Sequence, residues 1–353
     1  MTTKIDFESA VRSQPEQLRR VRDALREQLA CAPLPRWASG DTVGVVAMGA
    51  SHNSGHAFVA ALAEQGRRAV NLTASDVVAS VSGSAPAVTS VSAYQPADEY
   101  LVVSESGRSP EPIDAARFLT PGHRIGICNR ADAPLCSVVD RTVTLDGVDD
   151  SAIYTVGYLG TLLAYGLIAE HAGALPHDPM LDTVPDRVAE ALRQFTEVAA
   201  VTGRLLAAAT TVDVIGRGVS YSSAAEFALV LREGLRMPTG CYETFEYTHG
   251  PVEAATPRSV VVMFGDDRER DLVEPLIAAG VPVVLVTTIA PAATRAIQSP
   301  LLTLVQLDTA VTGLTRAIVE TVFAQLVLHS AAEHRAVRLG EFSYRGLGTK
   351  IPD

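Results

Sequence analysis

Three hydroxyls and one glycine sit close together in the run SESGRSPEP. Ser104, Ser106 and Ser109 supply the hydroxyls, Gly107 lets backbone amides turn inward, and a helix starts near Pro110. Hydroxyls beside the unpaired N–H groups of a helix N-terminus can hold an anion. The same residues also fit an ordinary serine-capped helix start. A second constellation lies in AEFALVLREGL, where Glu226 and Glu233 are seven residues apart and therefore share one face of a helix. Two carboxyls so placed can take up and deliver protons. They fit equally well as surface acids, with Glu233 paired to the adjacent Arg232. A third candidate is His249, in the turn Thr248-His249-Gly250-Pro251, because histidine changes charge closest to neutral pH.

The elements that must position these groups come in two copies. The runs VGVVAMG (43–49) and VDVIG (212–216) are apolar and end in glycine. Each leads through a small serine-bearing loop into a helix-like stretch, His56–Gln65 or Ala224–Leu235. Further apolar runs follow at Tyr100–Val103, Arg124–Cys128 and Val138–Leu145, matched by Val260–Phe264, Val281–Thr287 and Leu301–Leu307. Each copy closes with a long apolar helix, Ala152–His171 or Thr312–His334. Strands alternating with helices predict parallel sheets covered on both faces. Right-handed crossovers make each copy a doubly wound three-layer unit. The α/β reading divides the chain into an N-terminal helix (1–38), a first unit (39–175) and a linker with a helix (176–203). A second unit (204–335) and an irregular tail (336–353) follow. Within these, 6–30 has helical periodicity with Pro15 read as a first-turn residue, and 174–186 is read as the connecting loop. Ligands in such sheets bind beyond the carboxyl ends of the strands, where strand order reverses. Gly49–Gly55, Ser104–Ser109 and Asn129–Asp132 lie at such ends.

Composition narrows the class of function. A net charge of −11 and a pI near 5.2, with no lysine–arginine run, argue against nucleic acid and against an anionic membrane surface. Cys31, Cys128, Cys136 and Cys241 have neither CxxC spacing nor the density of a disulfide scaffold, so a structural zinc site is not expected. That usage suits a reducing, cytoplasmic setting, and the N-terminus has no apolar signal core. The uncharged stretch Ala152–Ala169 has the length of a membrane span. Its glycines and threonines, and its isolation, favour a buried helix instead. GASHNSG (49–55) lacks the GxGxxG of a dinucleotide site, which disfavours a nucleotide-binding Rossmann enzyme.

Six segments together resemble the sugar isomerase (SIS) domain family. They are GASHNSG (49–55), VSESGRS (103–109), ICN (127–129), IGRGVSY (215–221), AAEFALVLRE (224–233) and EYTHGP (246–251). They occur in order across nearly the whole chain, and SQPEQLRR (13–20) is similar as well. The likeness is strongest to the isomerase half of glutamine–fructose-6-phosphate aminotransferases, and to amino-sugar deaminases and fructosamine deglycases. It implies two SIS domains in tandem. It also implies that Ser51, Ser104, Ser106 and Ser109 hold a sugar phosphate, with Glu105 giving its backbone amide. Glu233 matches the family's proton-transferring glutamate, and Glu226 an acid that orients ligand. Asn53 and Tyr154 are further pocket candidates. His249 corresponds to a histidine that reaches the neighbouring subunit's site, which implies a homodimer. Lys350 is a loose counterpart of a tail lysine able to form a Schiff base. No metal or redox cofactor is implied.

Several positions depart from that pattern. The family commonly has Gln where this chain has Glu105, and a lysine where it has Val230. An acid–Ser–Thr–Lys stretch is replaced by Asp149–Val156, and Glu253 is of the deglycase type. The chain starts at Met1-Thr2 with no room for a glutaminase domain, so glutamine-dependent synthesis is not expected. The expected function is therefore a phosphosugar isomerase or deaminase acting on an amino-sugar or ketosamine phosphate. The alternative is a phosphosugar sensor without catalysis. Residues 1–38 hold one long helix and no helix-turn-helix, so such a sensor would act on a protein partner.

Overall fold

The computed structural model describes residues 4–82, 95–290, 299–344 and 348–351. Helix α1 (Phe7–Cys31) begins where the Asp6 carboxylate accepts the Ser9 N–H at 2.8 Å. Its apolar stripe, including Val11, Leu18, Val21 and Leu25, is buried. Pro15 lies inside this helix rather than in its first turn. The expectation failed because Asp6 caps the helix earlier. Proline costs the helix one hydrogen bond, and burial of the stripe offsets that loss.

The first sheet has the order β2-β1-β3-β4-β5 and is parallel throughout. Its strands are β1 (Thr42–Ala47), β2 (Arg68–Thr73), β3 (Glu99–Val103), β4 (Arg124–Cys128) and β5 (Arg141–Thr144). Helices α2 (Gly49–Glu64), α3 (Ala74–Ser82) and α4 (Pro110–Phe118) connect them, and α5 (Val156–His171) closes the unit. The second sheet repeats the arrangement with β6 (Thr211–Gly216), β7 (Thr239–Glu243), β8 (Ser259–Phe264), β9 (Val283–Thr287) and β10 (Leu302–Gln306). Its order, β10-β9-β8-β6-β7, is the same permutation read from the other end. Here the helices are α7 (Val219–Leu235), the short α8 (Thr244–Thr248), α9 (Arg268–Ala278) and the long α10 (Gly313–His334). Two doubly wound αβα units therefore stand in tandem, with five strands described in each where four were expected. The unexpected strands, β2 and β7, are edge strands and only partly buried. Neither carries a continuous apolar run, because each pairs on one side only.

Helix α6 (Pro179–Ala208) joins the halves. Asp178 caps it by accepting the Met180 N–H at 2.9 Å. The stretch 174–186 is thus half loop and half helix, not wholly the connecting loop expected. Pro179 opens the helix, as proline at the first helical position commonly does, and Pro185 is buried within it. One apolar core spans both halves, with residues of α1, α2, α5, α6, α7 and α10 in it. Helix α5 is buried from Val156 through Ala169, which explains its uncharged sequence. Among the described residues no helix is long and apolar enough to cross a membrane.

Candidate functional site

Strand order in the first sheet reverses between β1 and β3, and a cavity of about 510 Å³ opens beyond their carboxyl ends. Its wall includes Ser51 from the first turn of α2 and the loop that leaves β3. Gly49 starts the first of these turns with φ +55°, and Gly107 bends the second with φ +62°. A Cβ on Gly107 would lie 2.4 Å from the Cβ of Ala133, so only glycine lets the loop fold back on itself. The turn is closed by the Gly107 N–H on the Ser104 carbonyl, at 2.8 Å.

The hydroxyls of this loop are not spent on capping. Ser109 is the N-cap of α4, yet its side chain makes no capping bond. It instead accepts from the Ser104 hydroxyl at 3.3 Å, while Ser106 accepts the Arg108 N–H at 3.3 Å. Ser109 therefore keeps its own proton for a ligand; Pro110 and Pro112 have no N–H, so among the first three helical positions only the Glu111 N–H is left, and it lacks a side-chain capping bond. That is the geometry of an anion cradle.

Carboxyls from the second half face the cradle across the same cavity. Glu226 and Glu233, two turns apart on α7, both line it. Glu226 is buried at 3% exposure and accepts from Asn53 Nδ2 at 3.1 Å. Burial pushes its pKa up to about 8; the Asn53 bond opposes this and the nearby Glu233 adds to it. Glu233 is the more exposed residue of the two, and loss of water raises its pKa against the pull of Arg232. Asn53 does not itself line the cavity; it holds Glu226.

Glu105 lies against the first turn of α5. A Cβ on Gly157 would meet its Cγ at 2.8 Å. Burial and the neighbouring Asp150 raise the Glu105 pKa to about 7, while a bond with Tyr154 and the charges of Lys4 and Lys350 hold it down. Its carbonyl accepts the Asn129 N–H at 2.7 Å. Asp150 itself is committed to structure. It accepts the N–H groups of Ser151 at 2.7 Å and Gly157 at 2.8 Å, and the Thr155 hydroxyl at 2.6 Å.

The tail closes the site. The Ile351 N–H donates to the Arg108 carbonyl at 2.9 Å, and Arg108 Nε donates back to the Ile351 carbonyl at 3.1 Å. This pairing brings Lys350 Nζ to 2.6 Å from the Tyr154 hydroxyl. Desolvation lowers the lysine pKa, and Glu105 opposes that shift. Phe342, Tyr344 and Thr349 line the same cavity; apart from Lys350, nothing in the tail's sequence had pointed to them. The structure thus gathers Ser51, Ser104, Glu105, Ser106, Ser109, Tyr154, Glu226, Glu233 and Lys350. His249 is not among these lining residues; it is exposed at the end of α8 on the second half.

The equivalent switch point of the second sheet is filled. After β8 the chain reads Gly265-Asp266-Asp267. The Asp266 carboxylate accepts the Thr287 hydroxyl at 2.7 Å, the Thr288 N–H and hydroxyl at 2.8 Å each, and the Arg316 guanidinium. Burial would raise its pKa, but Arg316 and Thr287 hold it down to about 2. Arg316 also pairs with the buried Glu320, which accepts from Ser220 at 2.8 Å and Ser223 at 2.7 Å.

Two doubly wound units thus stand in tandem, with serine hydroxyls from the first and carboxyls from the second on the wall of one cavity. Residues 205–328 match the family model of the SIS domain. It is 26% identical over 257 residues to the glutamine–fructose-6-phosphate aminotransferase [isomerizing] of Bradyrhizobium diazoefficiens. That match covers 68% of this chain and 42% of the relative's length. The C-terminal domain of the glucosamine-fructose-6-phosphate aminotransferase of Francisella tularensis superposes with a TM-score of 0.75 at 17% identity, covering 96% of this chain and 98% of that one. The glucosamine-6-phosphate deaminase of Thermotoga maritima gives 0.70 at 16% identity, covering 94% and 95%. The tagatose-6-phosphate ketose/aldose isomerase of Escherichia coli gives 0.73 at 17%, covering 95% and 94%. At these identities the structural likeness is one of fold.

Proposed function

We propose that this chain is a phosphosugar isomerase or deaminase acting on an amino-sugar phosphate or a ketosamine phosphate. One observation carries the reading: a single cavity holds a serine loop, with the Ser109 hydroxyl still able to donate, on one side and two carboxyls of raised pKa on the other. Moving a carbonyl between C1 and C2 requires a base, and the loss of water that raises the pKa of both glutamates strengthens them in that role. Ser104, Ser106 and Ser109 hold the phosphate. Glu233 carries the proton between the two carbons, and Glu226, fixed by Asn53, orients the sugar. Lys350 stands where an open-chain carbonyl can be met by an amine. The activities printed for the relatives, an isomerizing aminotransferase, a deaminase and a ketose/aldose isomerase, are consistent with this chemistry.

The cradle is tested by Ser106→Ala. It removes one hydroxyl from a charge-assisted contact worth roughly 1.5–3 kcal/mol. Calorimetry with fructose 6-phosphate is expected to show affinity lower by one to two orders of magnitude, with the unliganded melting temperature unchanged. Unaltered affinity would remove the loop from the site.

His249 enters this reading through a second copy of the chain. Donated across an isologous interface, it assists ring opening in the partner's cavity. Sedimentation of active protein is then expected to show at least a dimer at assay concentration. An active monomer would refute the shared site.

A further inference from the structure

Cys128 and Cys136 meet directly beneath the cradle. Cys128 is the last residue of β4, and Cys136 lies in the short 3-10 turn Pro134–Ser137. Their sulfurs are 3.4 Å apart. Both point at the same acceptor, the Arg130 carbonyl, at 3.2 Å from Cys128 Sγ and 3.5 Å from Cys136 Sγ. The loop they pinch is the seat of the serine loop. Ala133 fills the space in front of Gly107, the Leu135 N–H donates to the Gly107 carbonyl at 3.0 Å, and the Asn129 N–H donates to the Glu105 carbonyl at 2.7 Å.

We propose that Cys128 and Cys136 form a peroxide-responsive dithiol whose oxidation to a disulfide shifts the serine loop and weakens its hold on an anion. The two thiols are unlike. Cys128 is fully buried, whereas Cys136 is partly exposed. The bond with Cys128 draws the Cys136 pKa down to about 6 against the effect of burial, with help from Thr142 and nearby backbone N–H groups. The same partnership, with burial, pushes Cys128 up. Cys136 is therefore the attacking thiolate, and Cys128 resolves.

The chemistry balances with hydrogen peroxide as oxidant. The Cys136 thiolate attacks one peroxide oxygen, the O–O bond breaks, and hydroxide leaves to become water. Cys136 is then a sulfenic acid. The Cys128 sulfur gives up its proton and attacks Cys136; the S–S bond forms, the S–O bond breaks, and a second water leaves. The two thiols have lost two electrons, and the peroxide has gained them. A bonded pair stands about 2.0 Å apart, so the sulfurs must close from 3.4 Å. The turn 134–137 moves with them, taking Ala133 and Leu135 from the positions that fix Gly107. Peptide contacts as tight as those of Gly107 do not absorb such a shift without rearrangement.

The test uses the intact chain and needs no ligand. Treated with hydrogen peroxide, wild type is expected to lose two hydrogens in mass, with one new disulfide mapped to Cys128 and Cys136. Cys31 and Cys241 should stay alkylatable. The oxidised form should show backbone amide exchange at 104–109 altered at least tenfold, restored by dithiothreitol. Cys128→Ser should stop at a sulfenic acid on Cys136 trapped by dimedone, and Cys136→Ser should leave Cys128 reduced. Both cysteines remaining alkylatable after peroxide would overturn the proposal. So would a disulfide that leaves exchange at 104–109 unchanged. Failure of any sugar phosphate to bind would strike the proposed function and leave this exchange measurement intact.

Discussion

Glu233→Gln is expected to lower turnover of the sugar phosphate by about 10²–10⁴-fold, the usual contribution of a positioned general base. The amide keeps the length and hydrogen-bonding reach of the side chain but cannot take up a proton. Binding should survive, because the cradle belongs to the other half of the chain. Ser51 and the loop Ser104–Ser109 are set by β1 and β3, while Glu233 is set by α7. The decisive measurement is wash-in of solvent deuterium at C1 or C2 of the bound sugar, which wild type should show and the variant should not. If wild type binds a sugar phosphate and exchanges no deuterium with it, the isomerase chemistry fails and a sensing role replaces it.

A second large effect is expected from pH. Glu105 has its pKa raised to about 7, so it is neutral below that pH and negative above it. An anion in the adjacent cradle binds best when Glu105 is protonated. Affinity should therefore fall as pH rises through about 7, approaching tenfold per unit where the two charges strongly exclude each other. The ligand's own second ionisation, near pH 6, adds repulsion in the same direction. The informative comparison is accordingly wild type against Glu105→Gln. The variant should bind more tightly at pH 8.5, by roughly ten- to a hundredfold, and match wild type near pH 5.5. Calorimetry showing the same pH profile for both would place the Glu105 charge out of reach of the ligand.

What could be read in the sequence followed from how much each element buries. Strands such as Val260–Phe264 and Arg124–Cys128 are buried on both faces, and their apolar runs stand out. The edge strands Arg68–Thr73 and Thr239–Glu243 are only partly buried and carry Asn71 and Gly240, so they passed as connection. Proline misled twice, at Pro15 and Pro185, because a long buried stripe tolerates what a short helix cannot. The serine loop was legible, since Gly107 and the serines mark it. Choosing between anion cradle and plain cap needed the unspent Ser109 hydroxyl, which only geometry reveals. The two glutamates were legible by spacing, whereas the tail residues at the cavity, Lys350 apart, were not. The segment holding Phe342, Tyr344 and Lys350 has no periodicity, and its place is set by the Ile351–Arg108 pairing. His249 lies outside the cavity of its own chain, so the role proposed for it rests on a second copy.

The filled switch point of the second half bears on how the two halves spend their free energy of folding. Asp266, Arg316 and Glu320 satisfy one another, with Thr287, Ser220 and Ser223, so that half needs nothing from solution to be fully braced. In the first half the Ser109 hydroxyl keeps its proton at the mouth of the sheet. Local opening in a protein tracks the least stabilised unit, and a ligand that binds only the closed form stabilises that unit by mass action. If the chain binds a sugar phosphate as proposed, the level of that ligand sets how far the first half is stabilised against local opening. The second half is braced by its own ion pairs and hydrogen bonds, while it still lends Glu226 and Glu233 to the cavity.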